Sequence, residues 1–170
     1  TVTKPYVLGI DIGGTNTVFG IVDARGTVIA SSSIKTGKHD NFEDYINELH
    51  EKASALIKAH DAEGKIYGIG IGAPNGNYYT GRIETQVNLP WPCPIELTKI
   101  VTEKFGVPSA VTNDANAAAI GEMTYGVARG MKDFIMITLG TGVGSGVVVN
   151  GSMVYGADGM AGELGHVIVR

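Results

Sequence analysis

The sequence predicts an α/β fold with one complete lobe over residues 1–114, then a connecting helix and the start of a similar lobe over 115–170. Three observations lead to this prediction. Strand-like and helix-like patterns follow one another in the order βββαβαβ. An arrangement of strand, glycine-rich turn and strand opens the chain and recurs near its end. Finally, 44% hydrophobic residues in a chain of 170 are enough to form a buried core.

The spacing of apolar residues predicts each element of the first lobe. Asn41 is placed to cap a helix in which apolar residues recur from Phe42 to Ile57. A second helix is expected to open on Pro94 and close at Gly106. The expected strands are three in an antiparallel meander and two that follow the helices, at 6–11, 17–22, 28–33, 66–71 and 109–112.

The second lobe begins with a helix and repeats the opening arrangement. Asp114 is placed to cap an alanine-rich helix over 115–125, and strands are expected over 134–139, 144–149 and 167–169. No helix is expected to cover this sheet, so one apolar face would be bare. We therefore expect the chain to be the N-terminal part of a longer protein, with dimerisation over the bare face as the alternative.

Composition and charge exclude several classes of protein. The net charge of -4 and the absence of a Lys/Arg run argue against a nucleic-acid partner. The single cysteine, Cys93, excludes an intrachain disulfide. The sequence has neither a secretory signal pattern nor an apolar run of ~18 residues, the length that spans a membrane. A cytoplasmic, soluble protein is expected.

Two glycine-rich turns, Asp11–Asn16 and Leu139–Gly144, are the candidates for chemistry. Glycine turns between strands point successive backbone N–H groups into one concavity, and the missing Cβ atoms let anionic oxygens approach. Each turn alone fits an ordinary hairpin better, but the pair favours a nucleotide triphosphate held between two lobes. The predicted phosphate-binding residues are Gly13, Gly14, Thr15, Asn16, Gly140, Thr141 and Gly142.

Two other phosphate-binding designs do not fit the sequence. A Walker motif needs Gly-Lys followed by Ser or Thr, whereas the two Gly-Lys pairs here continue as His39 and Ile66. A dinucleotide fingerprint leads into a helix, whereas the alternating glycines from Gly140 to Gly146 lead into the strand-like run Val147–Val149. The remaining interpretation is a hairpin turn that closes around a phosphate.

Four motifs in order resemble the sugar kinases of the ROK family, within the actin-like ATPase superfamily, and most of all its bacterial glucokinases. They are Asp11–Thr15, Asn113–Ala117, Leu139–Gly144 and Glu163–His166. The resemblance implies two ribonuclease-H-like lobes around a cleft. It also implies that the 6-hydroxyl of a hexose is phosphorylated in this cleft, with ATP as the phosphoryl donor and Mg²⁺ as the cofactor. The favoured hexose is glucose, ahead of N-acetylated hexosamines and fructose.

Two aspartates are candidates for catalysis and metal binding. Asp114 follows a strand and begins a helix, where the helix dipole would keep its carboxylate ionised at a low pKa. The residues alone leave a helix cap and a proton acceptor equally open, and the resemblance favours the catalytic base. Asp11 ends the first strand and is predicted to hold Mg²⁺ through water, with a turn-forming role as the alternative.

Polar side chains suited to sugar hydroxyls accompany these aspartates. The resemblance assigns sugar binding to Asn113, Asp114, Glu163 and His166, and less directly to Asn88 in the segment Asn88–Trp91. It also implies that His166 ligates a structural Zn²⁺ with three cysteines beyond Arg170. A further sugar-binding glutamate is expected after those cysteines. Since those ligands and the adenosine site are missing, the chain alone is expected to be almost inactive.

Two other functions remain open. The family includes sugar-responsive transcriptional regulators, but these carry an N-terminal winged helix, and here the strand pattern begins at Tyr6 without a preceding basic recognition helix. That favours the enzyme, unless upstream sequence was removed. A polymer-forming or chaperone-type ATPase would not need the Asn113-Asp114 and Glu163-His166 pairs. The expected partners are a hexose and ATP, with a homodimer as an open alternative.

Overall fold

The computed structural model describes residues 4–126, 128–139, 143–158 and 161. The chain opens with the predicted antiparallel meander. Its strands are β1 (Tyr6–Ile12), β2 (Asn16–Asp23) and β3 (Val28–Lys35). β2 pairs with β1 on one side and β3 on the other, each antiparallel, which confirms the meander.

Helix α1 (Phe42–Ala59) starts where the sequence predicts. The Asn41 side chain accepts a hydrogen bond from the backbone N–H of Asp44 at 2.8 Å, which satisfies an otherwise unpaired donor of the first turn. The buried side chains of α1, among them Tyr45 and Leu49, face the sheet. Strand β4 (Ile66–Gly72) then pairs parallel to β1.

The segment between β4 and the next helix differs from the prediction. It contains a short hairpin, β5 (Gly76–Asn77) and β6 (Arg82–Ile83), that the sequence did not indicate. Helix α2 begins at Leu97, not at Pro94, because the backbone of Ile95 exchanges two 3.0 Å hydrogen bonds with Ile83. The helix runs Leu97–Phe105 and ends at Gly106 in the left-handed conformation, as predicted.

Strand β7 (Ser109–Thr112) completes a five-stranded mixed sheet of order β3-β2-β1-β4-β7. The buried side chains of β1, Leu8, Ile10 and Ile12, lie in one core with residues of α1 and α2 such as Leu49 and Val101. The predicted order βββαβαβ is therefore confirmed for the long elements, and the two helices cover one face of the sheet.

The opposite face of this sheet has a row of positions with almost no side chain. Gly20, Gly9, Gly70 and Ala110 are paired in register across β2, β1, β4 and β7. We call these four residues the glycine row. Beside it, Val18 is 47% exposed, so this face is open over the described part of the chain.

Helix α3 (Asp114–Tyr125) leads to a second sheet of β8 (Phe134–Leu139), β9 (Val143–Val149) and β10 (Ser152–Met153), in the order β10-β9-β8. α3 packs on one face of this sheet, so the expectation that no helix covers it is wrong. The other face exposes three large apolar side chains of β8: Ile135, Ile137 and Leu139. The predicted strand over 167–169 lies outside the described residues.

The β5–β6 hairpin contacts the segment that follows β10. The side-chain amide of buried Asn77, in β5, donates to the carbonyl of Asp158 at 2.9 Å. Tyr78 stacks on Tyr155, which follows β10, with ring centres 4.8 Å apart and planes inclined by 8°. No helix among the described residues has the length and apolar character needed to cross a lipid bilayer.

Candidate active site

A cleft of about 420 Å³ lies at the carboxyl ends of the parallel strands. Strands β1, β4 and β7 end at the same edge of the sheet, which is where α/β folds bind ligands. The cleft is lined by Gly13, Gly14, Asn88, Asn113 and Asp114 on the side of the first sheet. These five residues were predicted to bind phosphate or sugar from three separate segments of the first lobe, and the structure places them at one cleft.

The first glycine-rich turn presents only its tip to this cleft. The Gly13 N–H donates to the Asn16 carbonyl at 2.9 Å and so closes the hairpin between β1 and β2. The Thr15 carbonyl accepts from the Thr36 N–H at 2.9 Å. Gly14 lies at the tip and lines the cleft, so backbone N–H groups at the tip, those of Gly14 and Thr15, are candidate donors to an anion.

The described ends of the second glycine-rich turn line the same cleft. Gly140, Thr141 and Gly142 lie outside the described residues. The residues on either side of them, Leu139 and Val143, line the cleft.

The glycines that follow this turn have a different role from the one the alternating pattern suggested. A Cβ on Gly146 would lie 2.8 Å from the Cβ of Ala119 and 2.9 Å from the carbonyl of Ala115, both on α3. A Cβ on Gly144 would lie 2.6 Å from the hydroxyl oxygen of Thr138, its partner on β8, and 3.1 Å from the Ala115 Cβ. These two glycines let α3 pack closely on β9, and Gly144 also lines the cleft.

Asn113, and not Asp114, makes the N-cap contact of α3. The Asn113 side-chain oxygen accepts a hydrogen bond from the backbone N–H of Asn116 at 2.7 Å. Asp114 is the first residue of the helix, and its carboxyl lines the cleft. The prediction that Asp114 caps the helix is therefore wrong, and the competing structural explanation for this aspartate is removed.

The pKa of Asp114 is raised to about 6, in contrast to the low value expected from the helix dipole. Burial of its carboxyl by surrounding protein is the main cause, and the nearby charge of Asp11 adds to it. These two effects outweigh the helix dipole, so Asp114 is a stronger base than an ordinary aspartate and is still mostly ionised at pH 7.

Gly72 lies between the two carboxyl groups. The position of a Cβ on Gly72 would be 3.6 Å from an oxygen of Asp11 and 3.6 Å from an oxygen of Asp114. Burial raises the pKa of Asp11 as well. Absence of a side chain at the end of β4 thus leaves room for two carboxyl groups to face each other.

Asp11 lines a second cavity, of about 580 Å³, against the open face of the first sheet. Asp114 lines both cavities and connects them. No group of three or more metal-ligating side chains occurs among the residues that the structure describes. Because Mg²⁺ is commonly held by one or two carboxylates together with phosphates and water, the Asp11 carboxylate fits that ion.

Asn88 lies at the rim of the cleft in the left-handed conformation, with φ 57°. Asn75 was not among the predicted site residues, but it also lines the cleft, with φ 52°, and donates from its side chain to the Thr85 hydroxyl at 2.8 Å. The Pro74-Asn75-Gly76 turn directly after β4 was the signal available. The predicted sugar ligands Glu163 and His166, and with His166 the zinc prediction, lie outside the described residues.

Comparison with known proteins gives the family. The sequence model of the ROK family matches residues 7–170. The chain belongs to the ROK family. Its fold matches a ROK family glucokinase from Streptomyces griseus in complex with glucose and AMPPNP, with a TM-score of 0.80 and 33% identity over 97% of this chain and 51% of that one.

Curated ROK relatives include both enzymes and regulators. A glucokinase of Halalkalibacterium halodurans is 36% identical over 96% of this chain and 50% of its own length. A xylose repressor of Bacillus spizizenii is 31% identical over 96% of this chain and 42% of its own length. The chain thus spans about half the length of the glucokinases it matches.

Proposed function

We propose that the chain is part of an ATP-dependent kinase that phosphorylates the 6-hydroxyl of a hexose, with glucose as the substrate. The observation that carries the proposal is the position of Asp114: its carboxyl opens onto the cleft lined by the first glycine-rich turn and by the β8–β9 hairpin. Similarity supports it, since a relative of matching fold binds glucose and AMPPNP.

In this proposal Asp114 accepts the proton of the attacking hydroxyl. Phosphoryl transfer passes through a loose transition state, so the protein contributes mainly positioning and charge stabilisation. A carboxyl of pKa about 6 is a better acceptor than one near 3.8, yet remains mostly ionised at neutral pH. Asn88 and Asn113 would orient the sugar hydroxyls, as would Glu163 and His166.

The phosphate groups of ATP would lie between the two glycine-rich turns. The N–H groups of Gly14 and Thr15 would donate to phosphate oxygens from one side, and residues 140–142 would do so from the other. Asp11 would hold Mg²⁺ through water, and the ion would neutralise charge on the phosphates.

The proposal is tested by measuring ADP release from the full-length protein with and without glucose. We expect release only with the sugar, and a loss of about 10²–10⁴-fold in Asp114→Asn, the range that a general base contributes. Asp61→Asn is the matched control, because Asp61 lies at the far end of α1 in a left-handed conformation that asparagine accepts. Full turnover by Asp114→Asn would refute the assignment.

The choice of hexose needs its own measurement. Glucose, N-acetylglucosamine, N-acetylmannosamine and fructose should be compared by kcat/KM, with the highest value expected for glucose.

A sugar-responsive regulator is the second candidate, favoured by the 31% identity to a xylose repressor. A regulator would be retained on its operator DNA at moderate salt and released by sugar, without ADP production. Sugar-dependent ADP release together with no DNA retention would exclude it.

A further inference from the structure

The tip of the first glycine-rich turn packs directly on the segment that carries Asn88. A Cβ on Gly14 would lie 2.8 Å from the carbonyl oxygen of Asn88 and 3.2 Å from its Cβ. Backbone atoms of the two segments thus meet where a side chain would otherwise be. Since both residues line the cleft, the contact lies between the proposed phosphate donors and a proposed sugar ligand.

The glycine at position 14 is required by this contact and not by its own backbone. Gly14 does not have a positive φ, so its conformation is open to an L-amino acid. Gly37 offers a contrast: a Cβ there would have no neighbouring atom within 4 Å. An alanine at position 14 would therefore displace Asn88, whereas one at position 37 would displace nothing.

The Asn88 segment is anchored to the core on its C-terminal side. Leu89 is buried, and its carbonyl accepts from the side chain of Gln86 at 3.1 Å. Trp91 is fully buried, its indole N–H donates to the His39 carbonyl at 3.1 Å, and its ring centre is 4.3 Å from that of Tyr45. The residues after Asn88 are therefore held in place, so a new side chain at position 14 would have to move Asn88 itself.

The glycine-rich turn is anchored to the same aromatic side chains. The hydroxyl of Thr17, at the start of β2, is 2.7 Å from the Tyr45 hydroxyl and 2.9 Å from that of Thr36. Thr36 in turn donates its backbone N–H to the Thr15 carbonyl. The turn and the Asn88 segment thus both pack against Tyr45, the turn through Thr17 and the segment through Trp91. They contact each other directly at Gly14 and Asn88.

We propose that Gly14 is a positioning residue that couples sugar binding to nucleotide binding. Sugar held at Asn88 fixes the Asn88 backbone, and this backbone fixes the turn tip whose N–H groups face the phosphates. The inference rests on the proposed kinase function and adds to it a route by which one substrate organises the site of the other.

The test is a binding cycle on the full-length protein. Calorimetry gives the dissociation constant of a non-hydrolysable ATP analogue with and without saturating glucose. In the native protein we expect glucose to tighten binding by about 5- to 150-fold, the usual range for coupled sites. In Gly14→Ala this ratio should fall to about one. Gly37→Ala, the matched control, should keep the native ratio.

A merely structural effect of the methyl group would be distinguishable. Such an effect would weaken the binding of both glucose and the ATP analogue. It would leave unchanged the ratio between the analogue's affinities with and without glucose, and that result would overturn the inference. If Gly14→Ala does not fold, Asn88→Gly removes the Asn88 Cβ and suits the left-handed backbone, and it should lower the same ratio. A native ratio of one, with glucose-dependent ADP release intact, would refute the coupling but leave the kinase proposal standing.

Discussion

The two glycine-rich turns look alike in sequence, but their glycines face different neighbours. At the first turn, the Cβ position of Gly14 is 2.8 Å from the Asn88 carbonyl, which belongs to a loop. After the second turn, the Cβ position of Gly146 is 2.8 Å from Ala119 and 2.9 Å from the Ala115 carbonyl, both on α3. Gly14 lets the loop that carries Asn88 approach the first turn, and Gly146 lets α3 pack on β9.

The difference teaches that a glycine pattern indicates close approach without saying what approaches. Alternation in Gly142, Gly144 and Gly146 looked like a single phosphate-binding feature. Gly146 faces α3, and Gly144 faces both Thr138 of β8 and Ala115 of α3. Their missing side chains therefore let β9 pack closely on the helix that carries Asp114 at its first residue. In the proposed function the first turn would then contact the ligands, and the second hairpin would set the position of Asp114, the proposed proton acceptor.

The largest expected effect comes from filling the space between β9 and α3. Gly146→Ala should lower the free energy of unfolding by about 2 kcal/mol, because its methyl group meets a helix backbone that cannot move aside. Urea unfolding followed by circular dichroism measures this change. Unchanged stability would show that close packing of α3 on β9 does not depend on Gly146. It would refute the distinction between a glycine that contacts a loop and one that contacts a helix.

The matched control lies on α3 itself. A Cβ on Gly121 would have no atom within 4 Å outside its own helix, so Gly121→Ala adds helix propensity without a clash. It should raise the free energy of unfolding by about 0.5–1 kcal/mol. Opposite signs for these two glycine-to-alanine changes would establish that contact, and not loss of glycine as such, sets the effect.

A smaller effect is expected from the charge that α3 brings to the cleft. The pKa of Asp114 is about 6 in the folded chain and near 3.8 when exposed, so the folded state favours the protonated form. The stability from that form is complete below about pH 4 and is lost as the pH rises through about 6. Asp114→Asn should therefore be more stable than the native protein by about 1 kcal/mol at pH 8, after allowance for solvent screening.

At pH 3.5 this difference should vanish, because the native side chain is then neutral as well. Thermal unfolding at the two pH values measures both limits. A constant difference between them would contradict the raised pKa. The same group predicts that turnover falls as the pH drops below about 6.

The smallest effect is expected at Gly72, between the two carboxyl groups. A methyl group there would lie 3.6 Å from both, an ordinary contact that displaces water without a clash. Gly72→Ala should move the acidic limb of the pH–activity profile upward by about 0.5 pH unit, since desolvation disfavours the charged carboxylate. Gly70→Ala, on the same strand with no atom within 4 Å, should leave the limb in place.

Local patterns in the sequence predicted most of the first lobe. The three opening strands, the Asn41 cap of α1 and the Gly106 end of α2 each depend on residues close together in the chain. The later start of α2 was not predictable in this way, because it depends on pairing between Ile83 and Ile95.

The site divides along the same line. Motif order and family resemblance were enough to assign Asn88, Asn113 and Asp114 to one site, and all three line the cleft. The pKa of Asp114 was predicted in the wrong direction, because it depends on how much protein surrounds the carboxyl and on Asp11 across Gly72. Both are consequences of packing between segments far apart in sequence.

Trp91 is the single tryptophan of the sequence, and it is fully buried against Phe42 and Tyr45 in the first lobe. Its fluorescence therefore reports the integrity of that lobe alone. The stacked rings of Tyr78 and Tyr155 join the β5–β6 hairpin to the segment after β10, and their near-ultraviolet dichroism reports whether these two segments stay in contact. The protein thus contains two separate optical probes, and a difference between their melting curves would measure how tightly the two parts unfold together.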